Sequence, residues 1–292
     1  MILSFHPCYE ADTNIICAGR EPDEKDRSAI AAAAAVILPQ GCRESLYRMA
    51  RQLNRHVFPN YDARFEYPGK TGQARLFKAL NVPHPKTWVF QDTAHFRERG
   101  AAARSNSFPL VFKLDWGGEG DTVFLLHNAS DLDDALATAA TYERTGQSGF
   151  IIQAFVPQAN RTLRVVVVGQ TMLAYWRIQE QPGLFGTSLS KGARIDTQAD
   201  PHLRRKAMRV ARRFCNQSRI DLAGLDFIFD QAHQEPDNPQ AMLLEINYFF
   251  GRTGLGGSER FYALLKDEID RWLMDREIAP CRAASRSPGE RR

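Results

Sequence analysis

The sequence has few features of secreted, membrane or disulfide-stabilised proteins. Its five cysteines are scattered and never spaced CxxC, which argues against a disulfide framework and against a zinc site. The longest apolar run, Ala29–Leu38, has ten residues. A membrane helix needs about 20, so we expect no membrane partner. The N-terminus lacks the basic segment and small-residue cleavage site of a secretory signal. We therefore expect a cytoplasmic protein.

Several common catalytic and nucleotide-binding motifs are also missing. The sequence contains no GxGxxG, no GxSxG and no HExxH, and its histidines are dispersed. Gly69-Lys70-Thr71 resembles the end of a P-loop, but Arg64 occupies the position of the first glycine. These absences argue against a P-loop nucleotide site and against a hydrolase that uses a protein nucleophile.

The charge of the chain is concentrated at its end. The net charge is +4, and the last twelve residues alone contribute four arginines and one glutamate. Residues 279–292 are therefore predicted to form a disordered basic tail. Arginines and a lysine also follow one face of a predicted helix over 204–213, which we interpret as a solvated face. The alternative, a nucleic-acid surface, is disfavoured because the cluster is short and carries no interleaved aromatic residues.

The chain is long enough for about two domains as a prior, and its pattern of elements predicts an α/β or α+β fold. Residues 1–68 form a small α/β unit that ends at Tyr67-Pro68-Gly69. Strand and helix patterns alternate over 69–156, where Ser130 and Asp133 predict a capping box. Residues 157–278 are strongly β, with a hairpin around Gly169-Gln170 and a helix that Asp200 caps.

A lysine and a glycine-rich turn follow an apolar strand in the segment FPLVFKLDWGGEGDTVF. Lys113 ends the strand, and Gly117, Gly118 and Gly120 allow backbone N–H groups to approach an anion. Two interpretations stay open for this segment alone: a phosphate-binding loop, or a plain hairpin with an edge lysine.

Three oxygen-bearing side chains fall on two neighbouring strands near the end of the chain. Glu245 and Asn247 are two positions apart in LLEIN, so they share one face of a strand. Antiparallel pairing with the preceding strand brings Asp226 opposite them. Two carboxylates and an amide suit Mg²⁺, with Mn²⁺ as an alternative, although a buried hydrogen-bonded network would use the same residues.

The order of these motifs resembles that of ATP-grasp enzymes over residues 65–258. The branch it resembles contains the ribosomal-protein glutamate ligase RimK and glutathione synthetase. Lys70, FPLVFK with its glycine loop, FIIQAFV, LRVVVVG, AGLDFIFD and LLEIN carry the resemblance. It implies an ATP-grasp fold after a short N-terminal α/β lobe over 1–68, a first subdomain over 69–156 and a second over 157–278.

The resemblance also implies the roles of individual residues. ATP would contact two lysines, the glycine loop and the hinge, namely Lys70, Lys113, Gly117, Gly118, Gly120, Gln153, Ala154, Phe155 and Val156. Asp226, Glu245 and Asn247 would hold Mg²⁺. Arg164, Arg177 and Lys191 would stabilise the transferring groups. Arg252, Thr253 and Gly254 would contact the substrate.

The implied reaction is ATP-dependent joining of a carboxylate and an amine, small molecules or peptides, through an acyl phosphate, as in RimK. Two alternatives stay open, the second because Gly186 and Ser188 stand where family members carry Arg and Asn. One alternative is a kinase that stops after phosphoryl transfer. The other is a regulatory module that binds ATP without turnover. A homo-oligomer is also left open.

Overall fold

The computed structural model describes residues 1–118, 120–157, 160–230 and 239–280. These residues form three β-sheets. The predicted basic tail lies, from residue 281 onward, outside the described residues. None of the described helices has both the length and the apolar composition needed to cross a bilayer. The four described cysteines, Cys8, Cys17, Cys42 and Cys215, are all free thiols.

The first sheet is parallel and lies in the segment predicted as an α/β unit. Its strand order is β2-β1-β3-β4. Its elements are β1 (Ile2–Ser4), β2 (Thr13–Asn14), α1 (Glu24–Ala32), β3 (Ala35–Ile37), α2 (Glu44–Leu53), β4 (Val57–Phe58) and α3 (Asp62–Glu66). The short strands β1 and β3 are buried, as expected for apolar runs in a covered parallel sheet.

The second sheet is antiparallel, in the order β5-β8-β6-β7. The segment of chain that forms this sheet begins with α4 (Gly69–Ala79). It continues with β5 (Thr87–Phe90), α5 (Thr93–Arg99), α6 (Ala101–Arg104), β6 (Leu110–Leu114), β7 (Val123–Leu126), α7 (Ala129–Glu143) and β8 (Phe150–Ala154). Pro68 cannot cap α4 with its side chain. Asp115 does so instead, because its Oδ1 accepts the Thr71 N–H at 2.6 Å. This bond fixes the first turn of α4 beside the loop that follows β6.

The predicted start of α7 is wrong by two residues. Asn128, not Ser130, is the N-cap, and its Oδ1 accepts the Asp131 N–H at 3.1 Å. The Asp131 carboxylate in turn accepts the His127 N–H at 2.7 Å. Asn128 and Asp131 have the same spacing as the predicted pair and are equally good capping residues.

The third sheet is antiparallel, in the order β11-β10-β9-β12-β13. Its elements are β9 (Arg161–Val168), β10 (Thr171–Ile178), β11 (Arg194–Asp196), α8 (Pro201–Ser218), β12 (Leu222–Asp230), β13 (Gln240–Asn247) and α9 (Ser258–Met274). The hairpin predicted at Gly169-Gln170 is confirmed. Asp200 precedes α8 as predicted, but its side chain makes no cap and pairs instead with Arg161 at 2.5 Å.

Helices cover both faces of the third sheet. Leu203, Ala207 and Phe214 of α8 pack with one face, whereas Phe261 and Leu265 of α9 pack with the other. The outer side of α8 is exposed at Arg205, Arg209, Arg212 and Arg213, as predicted for a solvated face. The three sheets fall within 1–68, 69–156 and 157–278, and the division into these domains stays a prediction.

Candidate active site

A cleft of about 400 Å³ separates the second sheet from the third. Such a volume lies within the range of ligand-binding pockets. Of the predicted site residues, fifteen line this cleft: Lys70, Lys113, Gly117, Gly118, Gly120, Gln153, Ala154, Phe155, Val156, Arg164, Arg177, Asp226, Glu245, Asn247 and Thr253. Residues from distant parts of the chain therefore meet in one cavity.

Two buried lysines, Lys70 of α4 and Lys113 of the second sheet, lie on the same side of the cleft, and we call them the lysine wall. Lys113 Nζ donates to Gln153 Oε1 at 2.9 Å, and Gln153 Nε2 donates to Thr87 Oγ1 at 2.9 Å. Burial lowers the pKa of Lys113 to about 8, against the attraction of Glu245 and with the repulsion of Lys70. All hydrogen-bond partners of Lys113 in the described chain are neutral.

Lys70 is placed by the first turn of α4 and by the glycine loop. Its Nζ donates to the carbonyl oxygens of Trp116 at 3.3 Å and Gly117 at 3.2 Å. The loop turns through Gly117 and Gly120, whose φ values of +87° and +80° favour glycine. Glu119, within the predicted loop, lies outside the described residues. The carbonyls hold Lys70 without neutralising its charge, so the charge is available to an anion.

The third sheet contributes two arginines bound to one aspartate, which we call the arginine wall. Arg164 Nε donates to Asp226 Oδ1, and Arg164 Nη2 donates to Asp226 Oδ2 at 3.0 Å. Arg177 Nη2 lies 2.7 Å from Asp226 Oδ2. Burial by itself would raise the pKa of Asp226, but the two guanidinium groups hold it below its ordinary value. Asp226 is therefore ionised and fixed in orientation.

The predicted metal residues meet at the bottom of the cleft. Asp226 pairs with Glu245 across β12 and β13, and Gly224 pairs with Asn247. Asn247 Nδ2 donates to Asp226 Oδ2 at 3.2 Å, whereas no described residue forms a hydrogen bond or ion pair with the Glu245 carboxylate. Among the described residues no group of three His, Cys, Asp or Glu could hold a metal. A partnerless carboxylate beside an ionised one nevertheless fits a hard cation.

A β-bulge explains a wall residue that strand periodicity misses. Asp226 pairs with Glu245, but Phe227 already pairs with Leu243, so Leu244 is the extra residue. Leu244 and Glu245 consequently both line the cleft, together with Ile228. The apolar side chains of Leu244 and Ile228, with Phe155 from the hinge, give one end of the cleft a surface suited to a flat base.

Lys191, Arg252 and Gly254 do not line the cleft. Lys191 Nζ pairs with Asp121 of the glycine loop at 2.7 Å, and it therefore connects the two sides of the opening. The guanidinium of Arg252 lies over the rings of Phe261 and Tyr262. Gly254 packs against the Tyr175 ring, which leaves no room for a side chain. Thr253 alone of the predicted substrate residues reaches the cavity.

Several lining residues escaped the sequence analysis. Thr162 Oγ1 is 2.5 Å from Thr187 Oγ1 and accepts Arg177 Nη2 at 3.1 Å. Thr162 lies two positions before Arg164, so alternation along β9 could have identified it. Phe185 and Thr187 flank Gly186 in the segment that carries the family resemblance, and Phe249 follows the last strand, so alternation along a strand identifies none of them.

Comparisons with known proteins agree with this fold. A model of the RimK-like ATP-grasp domain matches residues 74–260. D-cycloserine synthetase DcsG is similar in structure, with a TM-score of 0.60 and 15% identity over 93% of this chain and 99% of the other. For D-alanyl-alanine synthetase A from Vibrio cholerae the TM-score is 0.61, with 14% identity over 83% and 77%.

A third similar structure is the ADP complex of N5-carboxyaminoimidazole ribonucleotide synthetase, with a TM-score of 0.59 and 13% identity over 86% of this chain. The chain spans only 64% of that protein's length. A search of curated protein sequences gave no match.

Because the domain model covers well over half of the sequence, the chain belongs to the RimK-like ATP-grasp family. The predicted ATP-grasp fold is confirmed. The cleft lies between the second and third sheets of this fold.

Proposed function

We propose that this enzyme uses ATP and Mg²⁺, or Mn²⁺, to join a carboxylate to an amine through an acyl phosphate, in a RimK-like reaction in the cytoplasm. One observation carries the proposal. The described wall of the cleft holds four cations, Lys70, Lys113, Arg164 and Arg177, but only two carboxylates, Asp226 and Glu245. This excess of positive charge suits a polyphosphate, while the carboxylates suit the cation that accompanies it.

Each side of the cleft has its own task in this proposal. The hinge Gln153–Val156 and the apolar Ile228 and Leu244 receive the base. Lys70, Lys113 and the glycine loop receive the phosphates, and their donors are held in place before ATP arrives. Preorganised charge of this kind stabilises the transferring phosphoryl group at little reorganisation cost.

Asp226, Glu245 and Asn247 would hold the metal ion, which when bound neutralises phosphate charge. Arg164 and Arg177 keep Asp226 ionised. Arg177 also has spare capacity, since its buried Nε has no partner in the described structure. A substrate carboxylate, or the acyl phosphate formed from it, can accept a hydrogen bond from this N–H group. No described group has to act as a protein nucleophile.

Glu245→Gln is the sharpest test, because the carboxylate has no described partner and its loss should leave the fold intact. We expect ADP release from ATP, measured with a panel of carboxylates and amines, to fall about hundredfold, because the metal ion that neutralises phosphate charge would lose a carboxylate ligand, and even supporting groups of metal sites typically contribute about 10–100-fold. Glu180→Gln is the matched control, because Glu180 is exposed and only pairs with Arg194. Equal turnover in the two variants would overturn the metal assignment.

Removal of the metal provides an independent check. EDTA should abolish ADP release, and Mg²⁺ or Mn²⁺ should restore it. Product analysis by mass spectrometry separates the ligase from a kinase: an amide supports the proposal, whereas a stable phosphorylated product supports phosphoryl transfer alone.

A non-catalytic ATP-binding module is the second candidate, and one observation favours it. Gly186 and Ser188 line the cleft and supply neither a cation nor an amide there. Tight ATP binding without ADP release across the whole substrate panel would establish this alternative.

A further inference from the structure

Two consecutive phenylalanines form the wall of the cleft beyond the metal residues. Phe249 and Phe250 follow Asn247 by two and three positions, and both line the cavity. Phe249 is 62% exposed, although it is a large apolar side chain. A single exposed aromatic residue is unremarkable by itself. Its support in the structure is what distinguishes this one.

The N-terminal lobe holds Phe249 in place. The Arg64 guanidinium lies 5.2 Å from the centre of its ring, and Arg64 Nη1 donates to the Gln40 carbonyl at 2.9 Å. A Cβ at Gly41 would lie 3.3 Å from Phe249 Cε1, so glycine leaves room for the ring. The ring is therefore presented to the cleft on a fixed backing and loses little conformational freedom on binding a ligand.

The side chains along one face of β12 explain where Phe250 lies. Gly224, Asp226 and Ile228 alternate along one face and are separated by about 6.8 Å per step. A Cβ at Gly224 would lie 2.8 Å from Arg164 Nη1 and 3.2 Å from Phe250 Cβ, so the glycine leaves room for both side chains. Ile228 lies on the other side of Asp226. The charged centre thus separates an apolar base end from a second, aromatic end.

We infer that the substrate carries an aromatic or large apolar side chain that packs on Phe249 and Phe250. The inference rests on the proposed function, because it assigns the base to the other end. Aromatic pairs bury a large apolar area and in addition favour offset-stacked or edge-to-face contacts between the rings.

An acidic side chain at this end would be poorly served. The four cations of the described cleft wall surround the charged centre, where phosphates are expected. Two further arginines lie near this end, but neither lines the cleft: Arg64 packs on the Phe249 ring, and Arg252 lies over Phe261 and Tyr262. Specificity for an aromatic group therefore follows from the chemistry of the aromatic end.

The test measures binding to the full-length protein loaded with a non-hydrolysable ATP analogue and Mg²⁺. Calorimetry would compare N-acetyl-phenylalanine and phenylalanine amide with the corresponding glutamate and alanine compounds. The acetylated compounds probe the carboxylate substrate, and the amides probe the amine. We expect at least one phenylalanine compound to bind about tenfold or more tightly than its glutamate and alanine counterparts. Equal binding of the three side chains, or no binding of either phenylalanine compound, would overturn the inference.

Variants localise the effect. Phe249→Ala should weaken binding of the aromatic compound about tenfold without changing affinity for the nucleotide, and Phe249→Trp should retain it. Ile16→Ala is the control, because Ile16 is 72% exposed and does not line the cleft. An unchanged affinity in Phe249→Ala would count against the inference.

ADP release distinguishes this inference from the proposed function. Aromatic binding without ADP release would leave the aromatic site standing and reject the ligase reaction. ADP release with acidic or small substrates only would do the reverse.

Discussion

The two walls of the cleft hold their cations in different ways. Lys70 and Lys113 are bonded to carbonyl oxygens and to the Gln153 amide, which are neutral. Arg164 and Arg177 are bonded to the Asp226 carboxylate. The charge of the lysine wall is consequently available to an incoming anion. Part of the charge of the arginine wall is instead neutralised by Asp226, which the two arginines orient. The comparison teaches that cations facing one cleft serve binding or positioning according to their partners.

The largest expected effect comes from removing the charge that organises the arginine wall. Asp226→Asn leaves two buried guanidinium groups without a counter-charge, which should lower the free energy of unfolding by about 3–5 kcal/mol. ADP release should be lost as well. Urea unfolding measures the first effect, with Asp133→Asn as the control at an exposed ion pair, where less than about 1 kcal/mol is expected. Similar losses in both variants would contradict the distinction between the walls.

Lys113 tests the lysine wall. Lys113→Met should raise the KM for ATP about hundredfold, because a buried charge facing the phosphates is lost. The free energy of unfolding should change little, because the substitution also removes a charge that is costly to desolvate. With a pKa of about 8, Lys113 is charged below pH 8 and neutral above it, so ATP affinity should decline as the pH rises past 8. Lys113→Arg should remove this decline, and its persistence would assign the titration to another group.

Asp221 offers a carboxylate to compare with Asp226, because it lacks paired guanidinium groups. Burial raises the pKa of Asp221 to about 7, although the Asn60 N–H donates to it at 2.8 Å and Arg276 lowers it. The folded state then binds more protons than the unfolded state between about pH 4 and 7. The free energy of unfolding should therefore fall as the pH rises across that window, by an amount on the order of 3–4 kcal/mol.

Asp221→Asn keeps an oxygen that accepts the Asn60 N–H but cannot ionise. The variant should lose this pH dependence and be more stable than the parent at pH 8. Urea unfolding at several pH values checks the expectation, and parallel curves for the two proteins would refute it.

The smallest effect concerns Lys191, which reaches from the third sheet to Asp121 of the glycine loop. Because this ion pair is exposed, Lys191→Met should change stability by less than about 1 kcal/mol. If Lys191 also stabilises the transferring group, as the family resemblance implies, kcat should fall about tenfold at unchanged KM for ATP. An unchanged kcat would restrict Lys191 to the loop contact.

Much of the cleft could be predicted because its residues follow strand periodicity or glycine chemistry. Glu245 and Asn247 share a face by alternation, and antiparallel pairing brings Asp226 beside them, as found. The glycine loop after Lys113 required only the recognition that positive φ favours glycine. The short elements β4, α3, α5 and α6 were not predicted, because each has too few residues to show a periodic pattern.

The sequence by itself determined the type of chemistry, because the lysines, the arginines and the oxygen ligands are fixed by residue identity and spacing. Only the tertiary structure decided their partners: Asp115, in the loop after β6, caps α4 and so places Lys70, and Asp226 receives arginines from β9 and β10. The bulge at Leu244 and the backing of Phe249 by Arg64 likewise depend on contacts between residues far apart in the chain. Local pattern specifies which groups are present, whereas long-range packing specifies which of them are free to act.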